Sequence, residues 1–297
     1  MTSRHVARDI SYATSVQSRS GRALVRVVEN ATGRLGLIKR ADGYAEEVAA
    51  GRDFWDVMVS RYGLSLDIVG GSLANIPRDG PLVMIANHPY GILDGLIMGH
   101  LLAETRGDFR ILANSVFRRA EELNRVVLPV SFDGTKEAMR LNIETRKTCL
   151  TYLEQGGAIG VFPGGTVATA ARPFGKPMDP GWRGFTGKMV AKSEAAVLPI
   201  FFEGHNSRLF QLASHLHVTL RMALLIKEFK ARVDEPVRLV IGKPIPRERL
   251  EPHARDPKAM MDFLRAQTYA LSPKPVNAAE FGFEFEERYR TEKGRVY

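Results

Sequence analysis

The stretch LVMIANHPYGILDG, residues 82–95, decides the fold and contains the most informative polar side chains. Its first four residues form a short apolar run, and turn-forming residues follow before a second apolar segment begins at Leu93. This order predicts a strand, a loop and a helix. His88 and Asp94 flank the loop at the carboxyl end of the predicted strand, where open α/β sheets usually form their binding crevices. A histidine that a carboxylate orients can act as a general base, although Asp94 could instead only cap the predicted helix.

The composition is that of an ordinary globular protein. Hydrophobic residues make up 44% and charged residues 25% of the 297-residue chain, which favours one large α/β domain with appended helices. The single Cys149 cannot form an internal disulfide and the chain does not open with a secretory leader pattern, so we expect the reducing cytosol. The sequence has no apolar run of the about 18 residues that a membrane-spanning helix needs.

The chain is basic, because 42 Lys and Arg residues outnumber 33 Asp and Glu residues to give a net charge of +9. This charge attracts an anionic partner such as nucleic acid, a phosphorylated ligand, an acidic protein or an anionic bilayer. Nucleic acid is disfavoured, because the sequence has no zinc-finger, RNA-recognition or basic-zipper signature. Basic residues alternate with bulky apolar ones at residues 22–40 and again at 209–233, which includes Arg221. Both stretches could lie on an anionic membrane surface, or could pack on the domain core.

Apolar runs alternate with segments of helical periodicity along the chain. After a flexible lead-in at residues 1–20, we predict helices over 22–40 with a break near Gly33, and over 44–62, 96–104 and 135–155. We predict further strands over 109–113, 126–132, 158–162, 195–202 and 237–241. This alternation indicates parallel βαβ units, so we expect an α/β fold with a mostly parallel central sheet flanked by helices. We divide the chain into an N-terminal helical region (1–65), an α/β domain (66–272) and a C-terminal tail (273–297).

Four motifs follow one another in the sequence: NHPYGILDG at 87–95, ILANSVF at 111–117, VFPGGT at 161–166 and VLPIFFEGHNS at 197–207. Their order resembles the PlsC-like lysophospholipid acyltransferase superfamily over residues 80–210. The chain looks closest to the branch of hemolysin-like proteins and ornithine-lipid O-acyltransferases. That branch shares the NHPxGxxDG form and a Glu-Gly-x-Asn-Ser run after the proline of the fourth motif.

Two features depart from the main family. Five residues separate His88 from Asp94, whereas the main family has four and the hemolysin-like branch has the longer spacing. In the third motif, Gly164 stands where the main family has glutamate, and Val167, directly after the motif, stands where the main family has the arginine associated with the acceptor phosphate. Lysophosphatidic acid is therefore less favoured as the acceptor. Downstream, Arg172 and Arg183 could supply positive charge from another direction, or could be solvated.

The resemblance implies acyl transfer from a thioester to a hydroxyl. His88 would remove the proton of the attacking hydroxyl, and Asp94 would fix the imidazole tautomer and stabilise the imidazolium. Backbone amides around Gly164 and Gly165 could bind an oxyanion or a phosphate, although the two glycines could equally form only a tight turn. The residues that the resemblance places at the substrate are Asn87, Asn114, Phe162, Pro163, Gly164, Gly165, Thr166, Arg172, Arg183, Pro199, Glu203 and Asn206. We expect no bound cofactor and no metal.

The sequence therefore predicts a peripheral O-acyltransferase at the cytoplasmic face of the inner membrane, without a transmembrane helix. Its donor would be acyl-carrier protein (acyl-ACP) or a coenzyme A thioester (acyl-CoA), and the acidic carrier would suit a basic surface. Its acceptor would be a lyso-aminolipid, such as lyso-ornithine lipid, or a lysophospholipid. The alternative is a non-catalytic lipid-binding or hemolysin-like protein on the same fold, which would need no general base with an orienting carboxylate.

Overall fold

A seven-stranded sheet forms the centre of the fold in the computed structural model, which describes residues 11–13, 16, 18–114, 121–131 and 135–286. In chain order, its strands are β1 Ser65–Gly70, β2 Leu82–Ala86, β3 Arg110–Asn114, β4 Val127–Val130, β5 Ala158–Val161, β8 Ala196–Phe202 and β9 Pro236–Ile241. In space, the order is β1-β9-β8-β2-β5-β3-β4. All neighbours are parallel except β8 and β9. The predicted α/β class with a mostly parallel central sheet is therefore confirmed.

The described part of the chain also contains short strands and twelve α-helices. Strands β6 Thr169–Ala170 and β7 Pro177–Met178 pair with each other as an antiparallel ribbon. The helices are α1 Arg19–Thr32, α2 Arg34–Ala41, α3 Tyr44–Ala49, α4 Phe54–Arg61, α5 Ile92–Arg106, α6 Glu121–Val126, α7 Lys136–Glu154, α8 Gly184–Ala191, α9 Arg208–Leu216, α10 Val218–Lys230, α11 Arg247–Leu250 and α12 Pro257–Tyr269. Across the described ranges, every helix is too short or too polar to span a bilayer.

The helix predictions are confirmed except where the local backbone interrupts a long pattern. The predicted break near Gly33 is present, because Gly33 adopts a φ of 137° between α1 and α2. The single helix predicted over 44–62 is wrong, since α3 ends before Gly51, which has a φ of 95°. The side chain of Asp53 then caps α4 by accepting hydrogen bonds from the N–H groups of Trp55 and Asp56.

Two features of the sheet escape the sequence patterns. Strand β1 was not predicted, because it lies at an edge and its side chains, such as that of Asp67, are exposed or half-buried. Strand β9 is antiparallel to β8, so that β1 and β9 run opposite to the other five strands. The reason is that α9 and α10 pack together as a hairpin and return the chain to the end of β8 from which it left.

The core lies on both faces of the central strand β2, whose five residues are all buried. Leu82 and Met84 face one cluster that includes α4, α5 and α10, whereas Val83 and Ile85 face a second cluster that includes α7, α8 and α12. A strand that is buried on both faces needs apolar residues at successive positions, which explains why β2 forms an uninterrupted apolar run in the sequence.

The N-terminal segment is attached to α1 where the structure describes it. Glu29 is fully buried, and its carboxylate accepts hydrogen bonds from Ser11 Oγ (2.6 Å) and the N–H of Tyr12 (2.7 Å). The prediction of a flexible lead-in over residues 1–20 is therefore wrong for residues 11–13 and for residues 19–20, which belong to α1, whereas residues 1–10, 14, 15 and 17 lie outside the described part of the chain. The described part of the chain also excludes residues 115–117 of the second motif, residue 132 of a predicted strand and residues 287–297 of the predicted tail. The three-part division stays a prediction.

Candidate active site

His88 and Asp94 meet at the carboxyl end of β2. Asp94 is fully buried in the first turn of α5, and its Oδ2 accepts hydrogen bonds from the N–H groups of Tyr90 (2.8 Å) and Gly91 (3.0 Å). His88 Nδ1 lies 3.0 Å from the same Oδ2. The direction of this contact falls outside hydrogen-bond geometry, and His88 Nδ1 and Asp94 Oδ1 have no hydrogen-bond partner among the described residues. Two backbone amides thus fix the carboxylate beside the imidazole, within the distance at which a modest realignment forms the hydrogen bond.

Asp94 does take part in the start of the helix, as the alternative interpretation proposed, but it also contacts the imidazole. The chain can turn between the two residues because Gly91 adopts a φ of 94°, which L-residues rarely tolerate. A Cβ added to Gly91 would also lie 3.1 Å from Val167 Cγ2, so the loop is closely packed against the third motif. One carboxylate therefore caps the helix and faces His88.

Two other segments hold His88 in place. The ring of Phe162 stacks on the imidazole, with 4.2 Å between centroids and 25° between planes. The carbonyl of His88 accepts a hydrogen bond from the N–H of Ala168 (2.7 Å), and the N–H of His88 donates to Asp179 Oδ1 (3.1 Å). The imidazole side chain remains 17% exposed, so it borders on solvent, and Nε2 makes no hydrogen bond to a described residue. This geometry leaves Nε2 available for a substrate proton.

Asp179 is a buried site residue that sequence reasoning missed. Its second carboxylate oxygen accepts a hydrogen bond from Trp182 Nε1 (2.9 Å), and its carbonyl accepts one from Arg265 (3.1 Å). Burial raises the pKa of the Asp179 carboxyl, and the hydrogen bond from Trp182 and the charge of Arg265 offset part of this rise. In sequence, an aspartate before Pro-Gly resembles any exposed turn residue, so no local signal distinguishes it.

The third motif forms a tight turn beside His88. Gly165 adopts a φ of 69°, and its N–H donates to the carbonyl of Phe162 (3.0 Å). That amide is therefore occupied, whereas the N–H of Gly164 makes no hydrogen bond within the described ranges. The carbonyl of Pro163 accepts a hydrogen bond from the N–H of Arg183 (2.9 Å). Of the two amides predicted to bind an oxyanion, Gly164 keeps a free donor and Gly165 supports the turn interpretation.

The predicted arginines do not lie together at this loop. Arg183 is buried, and its guanidinium donates two hydrogen bonds to the Glu284 carboxylate, at 2.8 and 2.9 Å. Glu286 lies 3.4 Å from the same guanidinium, so the charge of Arg183 is already compensated. Arg172 is exposed in the turn between β6 and β7. The geometry gives neither arginine direct support as a substrate-binding residue.

Four other predicted substrate residues lie at or beyond the carboxyl ends of strands, and they mostly bind the protein itself. Asn87 is buried, and its amide exchanges hydrogen bonds with the backbone N–H (2.7 Å) and carbonyl (2.9 Å) of Phe202, which ties β2 to β8. Glu203 pairs with Lys274 (3.1 Å) and Arg238 (3.4 Å). Asn206 is buried, and its Nδ2 has no hydrogen-bond partner in the described part of the chain. Asn114 is exposed at the end of β3.

Pro199 is buried within the sheet and is not exposed at the candidate site. It lies inside β8 opposite Ile85 of β2, and its carbonyl accepts a hydrogen bond from the N–H of Gly242 (2.9 Å). The structure therefore brings His88, Asp94 and the third motif together, whereas it places the fourth-motif proline within the sheet.

The chain is similar to characterised proteins over most of its length. It is 24% identical over 228 residues to the lyso-glycine lipid O-acyltransferase of Phocaeicola vulgatus, which covers 74% of this chain and 78% of that protein. It is 23% identical over 229 residues to the lyso-glycine lipid O-acyltransferase of Bacteroides thetaiotaomicron, which covers 74% of this chain and 80% of that protein. The crystal structure of the 1-acyl-sn-glycerophosphate acyltransferase PlsC from Thermotoga maritima aligns with a TM-score of 0.44 and 18% identity, over 85% of this chain and 97% of that one.

A family model described as Acyltransferase matches residues 46–277, which is more than half of the 297 residues. The match contains all four motifs and both members of the His88–Asp94 pair. The predicted enzyme class, an O-acyltransferase, is confirmed by this family and by the two relatives. The chain belongs to the acyltransferase family.

Proposed function

We propose that the enzyme transfers a fatty acyl chain from a thioester to the hydroxyl of a lysolipid, with His88 as general base and Asp94 as its orienting partner. The observation that carries this proposal is the 3.0 Å contact between His88 Nδ1 and the buried Oδ2 of Asp94, while Nε2 makes no hydrogen bond to a described residue and the imidazole side chain is 17% exposed. A carboxylate at Nδ1 favours the tautomer whose Nε2 accepts a proton. The same arrangement disfavours the alternative of a lipid-binding protein without catalysis.

The chemistry needs a base because an alcohol is a poor nucleophile at neutral pH. His88 Nε2 takes the hydroxyl proton as the oxygen attacks the thioester carbonyl, and general-base catalysis of this kind contributes about 10²- to 10⁴-fold. The tetrahedral intermediate collapses, the carbon–sulfur bond breaks, and the imidazolium returns the proton to the departing thiolate. The N–H of Gly164 is the backbone donor that we place near the developing oxyanion.

The acceptor that we propose is a lyso-aminolipid, with lyso-glycine lipid as the first candidate and lyso-ornithine lipid as the second. Two curated relatives are named for lyso-glycine lipid, and each aligns with 74% of this chain. The third motif supports this choice, because Val167 stands where the main family has the arginine associated with an acceptor phosphate. The donor that we propose is acyl-ACP or acyl-CoA.

An experiment in cells tests this function. In a strain that lacks the gene, we expect a lyso-aminolipid to accumulate and its O-acylated product to disappear from the lipid extract. A plasmid copy of the wild-type gene should restore the product, and a copy that encodes His88→Ala should not. Unchanged lipids in the deletion strain would count against the proposed acceptor class.

We propose further that an apolar edge of the protein rests on the bilayer surface, on the cytoplasmic face of the inner membrane. This edge consists of exposed side chains on α1 and at the junction of α9 and α10: Leu24, Val27, Leu216, Val218 and Leu220. The two elements adjoin, because a Cβ on Gly21 would lie 3.8 Å from Thr219 Cγ2. Exposed arginines such as Arg22 on α1 and Arg208 on α9 belong to the same helices, and helices that combine basic and exposed apolar residues favour anionic lipid.

Liposome binding measures this contact. Leu216 is 76% exposed, and Leu216→Glu should lower co-sedimentation with vesicles of phosphatidylglycerol by about tenfold, because it places a charge in the apolar contact. Met139→Glu on α7 is the matched control, since Met139 is 54% exposed on a different helix. Equal binding of the two variants would contradict the assigned edge.

A further inference from the structure

Arg221 on α10 is buried close to the third motif. It is 2% exposed, and its guanidinium lies over the rings of Phe210 (4.9 Å) and Phe285 (4.3 Å). None of the partners that it has within the described residues is a carboxylate. Burial lowers the pKa of Arg221 to about 9. A buried guanidinium is normally paired with an anion, so this one differs from Arg183, which has Glu284.

Neutral groups receive the hydrogen bonds of this guanidinium. Nη1 donates to Thr169 Oγ1 and to Ser214 Oγ (3.0 Å), and Nη2 donates to Thr166 Oγ1 (3.1 Å) and the carbonyl of Val167 (2.7 Å). Each of the three hydroxyls therefore accepts from a cation. A hydroxyl that accepts from a cation becomes a stronger donor through its own proton.

The protons of these hydroxyls have different destinations. Ser214 Oγ donates to the carbonyl of Phe210 (2.7 Å), and Thr169 Oγ1 donates to the carbonyl of Val167 (3.1 Å). The hydroxyl proton of Thr166 has no acceptor among the residues that the structure describes. Thr166 is half-buried, whereas Ser214 and Thr169 are buried. Thr166 is thus the one hydroxyl of the three that is half-buried and whose proton has no acceptor in the described part of the chain.

This donor lies at the loop that holds His88. Thr166 is two residues before Ala168, whose N–H binds the carbonyl of His88, and four residues after Phe162, whose ring stacks on the imidazole. Val167, which lies between Thr166 and Ala168, has no charge, and its carbonyl accepts a hydrogen bond from Arg221. A positive charge therefore reaches the third motif from α10, although the motif itself lacks an arginine.

We propose that Arg221 and Thr166 form the subsite for the acidic group of the lipid acceptor, and that this group is a carboxylate. This proposal rests on the proposed function and specifies its acceptor. Thr166 donates the contacting hydrogen bond, and Arg221 holds and polarises the hydroxyl as a positioning residue. One cation and one free hydroxyl match the single charge of a carboxylate better than a phosphate monoester, which carries about −1.5 to −2 charges at pH 7.

A pair of acceptors tests the subsite: lyso-glycine lipid and its methyl ester, which lacks the negative charge. For the wild-type enzyme we expect kcat/KM to be about 10- to 100-fold higher with the acid, because charged hydrogen bonds are worth that factor. Thr166→Val should reduce the preference to about threefold, mainly through KM for the acid. Thr166→Ser, which keeps the hydroxyl, should restore the preference.

Ser214→Ala is the matched control, because it removes another hydroxyl from the same guanidinium but no free donor. It should keep the acid-over-ester preference. The proposal is overturned if Ser214→Ala loses as much preference as Thr166→Val, or if Thr166→Val slows acid and ester equally. It is also overturned if the wild-type enzyme acylates both lipids equally, a result that leaves the proposed function standing. Dissociation constants for the two lipids apply the same comparison without catalysis, so an absence of acyl transfer would remove only the proposed function.

Discussion

Replacing His88 with alanine lowers kcat/KM for acyl transfer by about 10²- to 10⁴-fold, while the protein still folds with a moderately lower thermal stability. The loss of activity follows from the geometry, because Nδ1 lies beside a carboxylate that two backbone amides hold in place, whereas Nε2 makes no hydrogen bond to a described residue. We expect some loss of stability as well, because the imidazole side chain is only 17% exposed and stacks on Phe162. Steady-state kinetics with purified variants, together with thermal unfolding, measure both parts of this prediction.

Asp94→Asn should lower kcat while KM stays similar, because an asparagine can still accept from the amides of Tyr90 and Gly91 but no longer stabilises an imidazolium. His100→Asn is the matched control, since His100 lies on the same helix as Asp94. The control should keep the wild-type rate. Wild-type turnover by His88→Ala would contradict the role of the pair.

Glu284→Gln should lower the free energy of unfolding by about 3 kcal/mol, because it leaves the buried guanidinium of Arg183 without its main counter-charge. The side chains of both residues are only 7% exposed, so water cannot replace the lost partner. Denaturation in urea measures the change. The pair lies close to the candidate site, since the N–H of Arg183 donates to the carbonyl of Pro163 in the third motif.

Two further variants separate the buried pair from ordinary surface charges. Glu286→Gln should cost less than about 1 kcal/mol, because Glu286 is 27% exposed and lies 3.4 Å from the guanidinium. The double variant Arg183→Met with Glu284→Leu should recover most of the stability, since apolar residues of similar size remove both buried charges. The same urea midpoint for Glu284→Gln and the wild type would contradict this account.

The centre of the fold could be predicted from local sequence, but its edge could not. Strand β2 is buried on both faces and therefore reads as an uninterrupted apolar run that ends in a loop with His88. Strand β1 lies at the edge, where exposed residues such as Asp67 hide the pattern. The antiparallel direction of β9 depends on how the helical hairpin of α9 and α10 returns the chain, which no residue within β9 encodes.

The same difference holds for the candidate site: contacts between residues close in sequence could be predicted, whereas contacts between distant segments could not. His88 and Asp94 lie within one motif, so their meeting could be predicted, whereas Asp179 reaches His88 across 91 positions of sequence. Arg221 lies in a basic stretch for which the sequence left two alternatives, contact with lipid or packing on the core, and its burial supports packing on the core for Arg221. Helical periodicity cannot distinguish a lipid-facing arginine from a buried one, because the hydrogen-bond acceptors of Arg221 at residues 166–169 lie more than 50 positions away in sequence.

The central claim, that this enzyme acylates the hydroxyl of a lyso-aminolipid, is tested most directly by mass spectrometry of the products that the purified protein makes. Lyso-glycine lipid should be supplied with acyl-ACP in one reaction and with acyl-CoA in another, each beside a reaction with His88→Ala. We expect the wild-type enzyme to make a product heavier by one acyl group with at least one donor, and we expect the variant not to make it. A wild-type enzyme that leaves lyso-glycine and lyso-ornithine lipids unchanged with both donors, or a variant that matches it, would contradict the account.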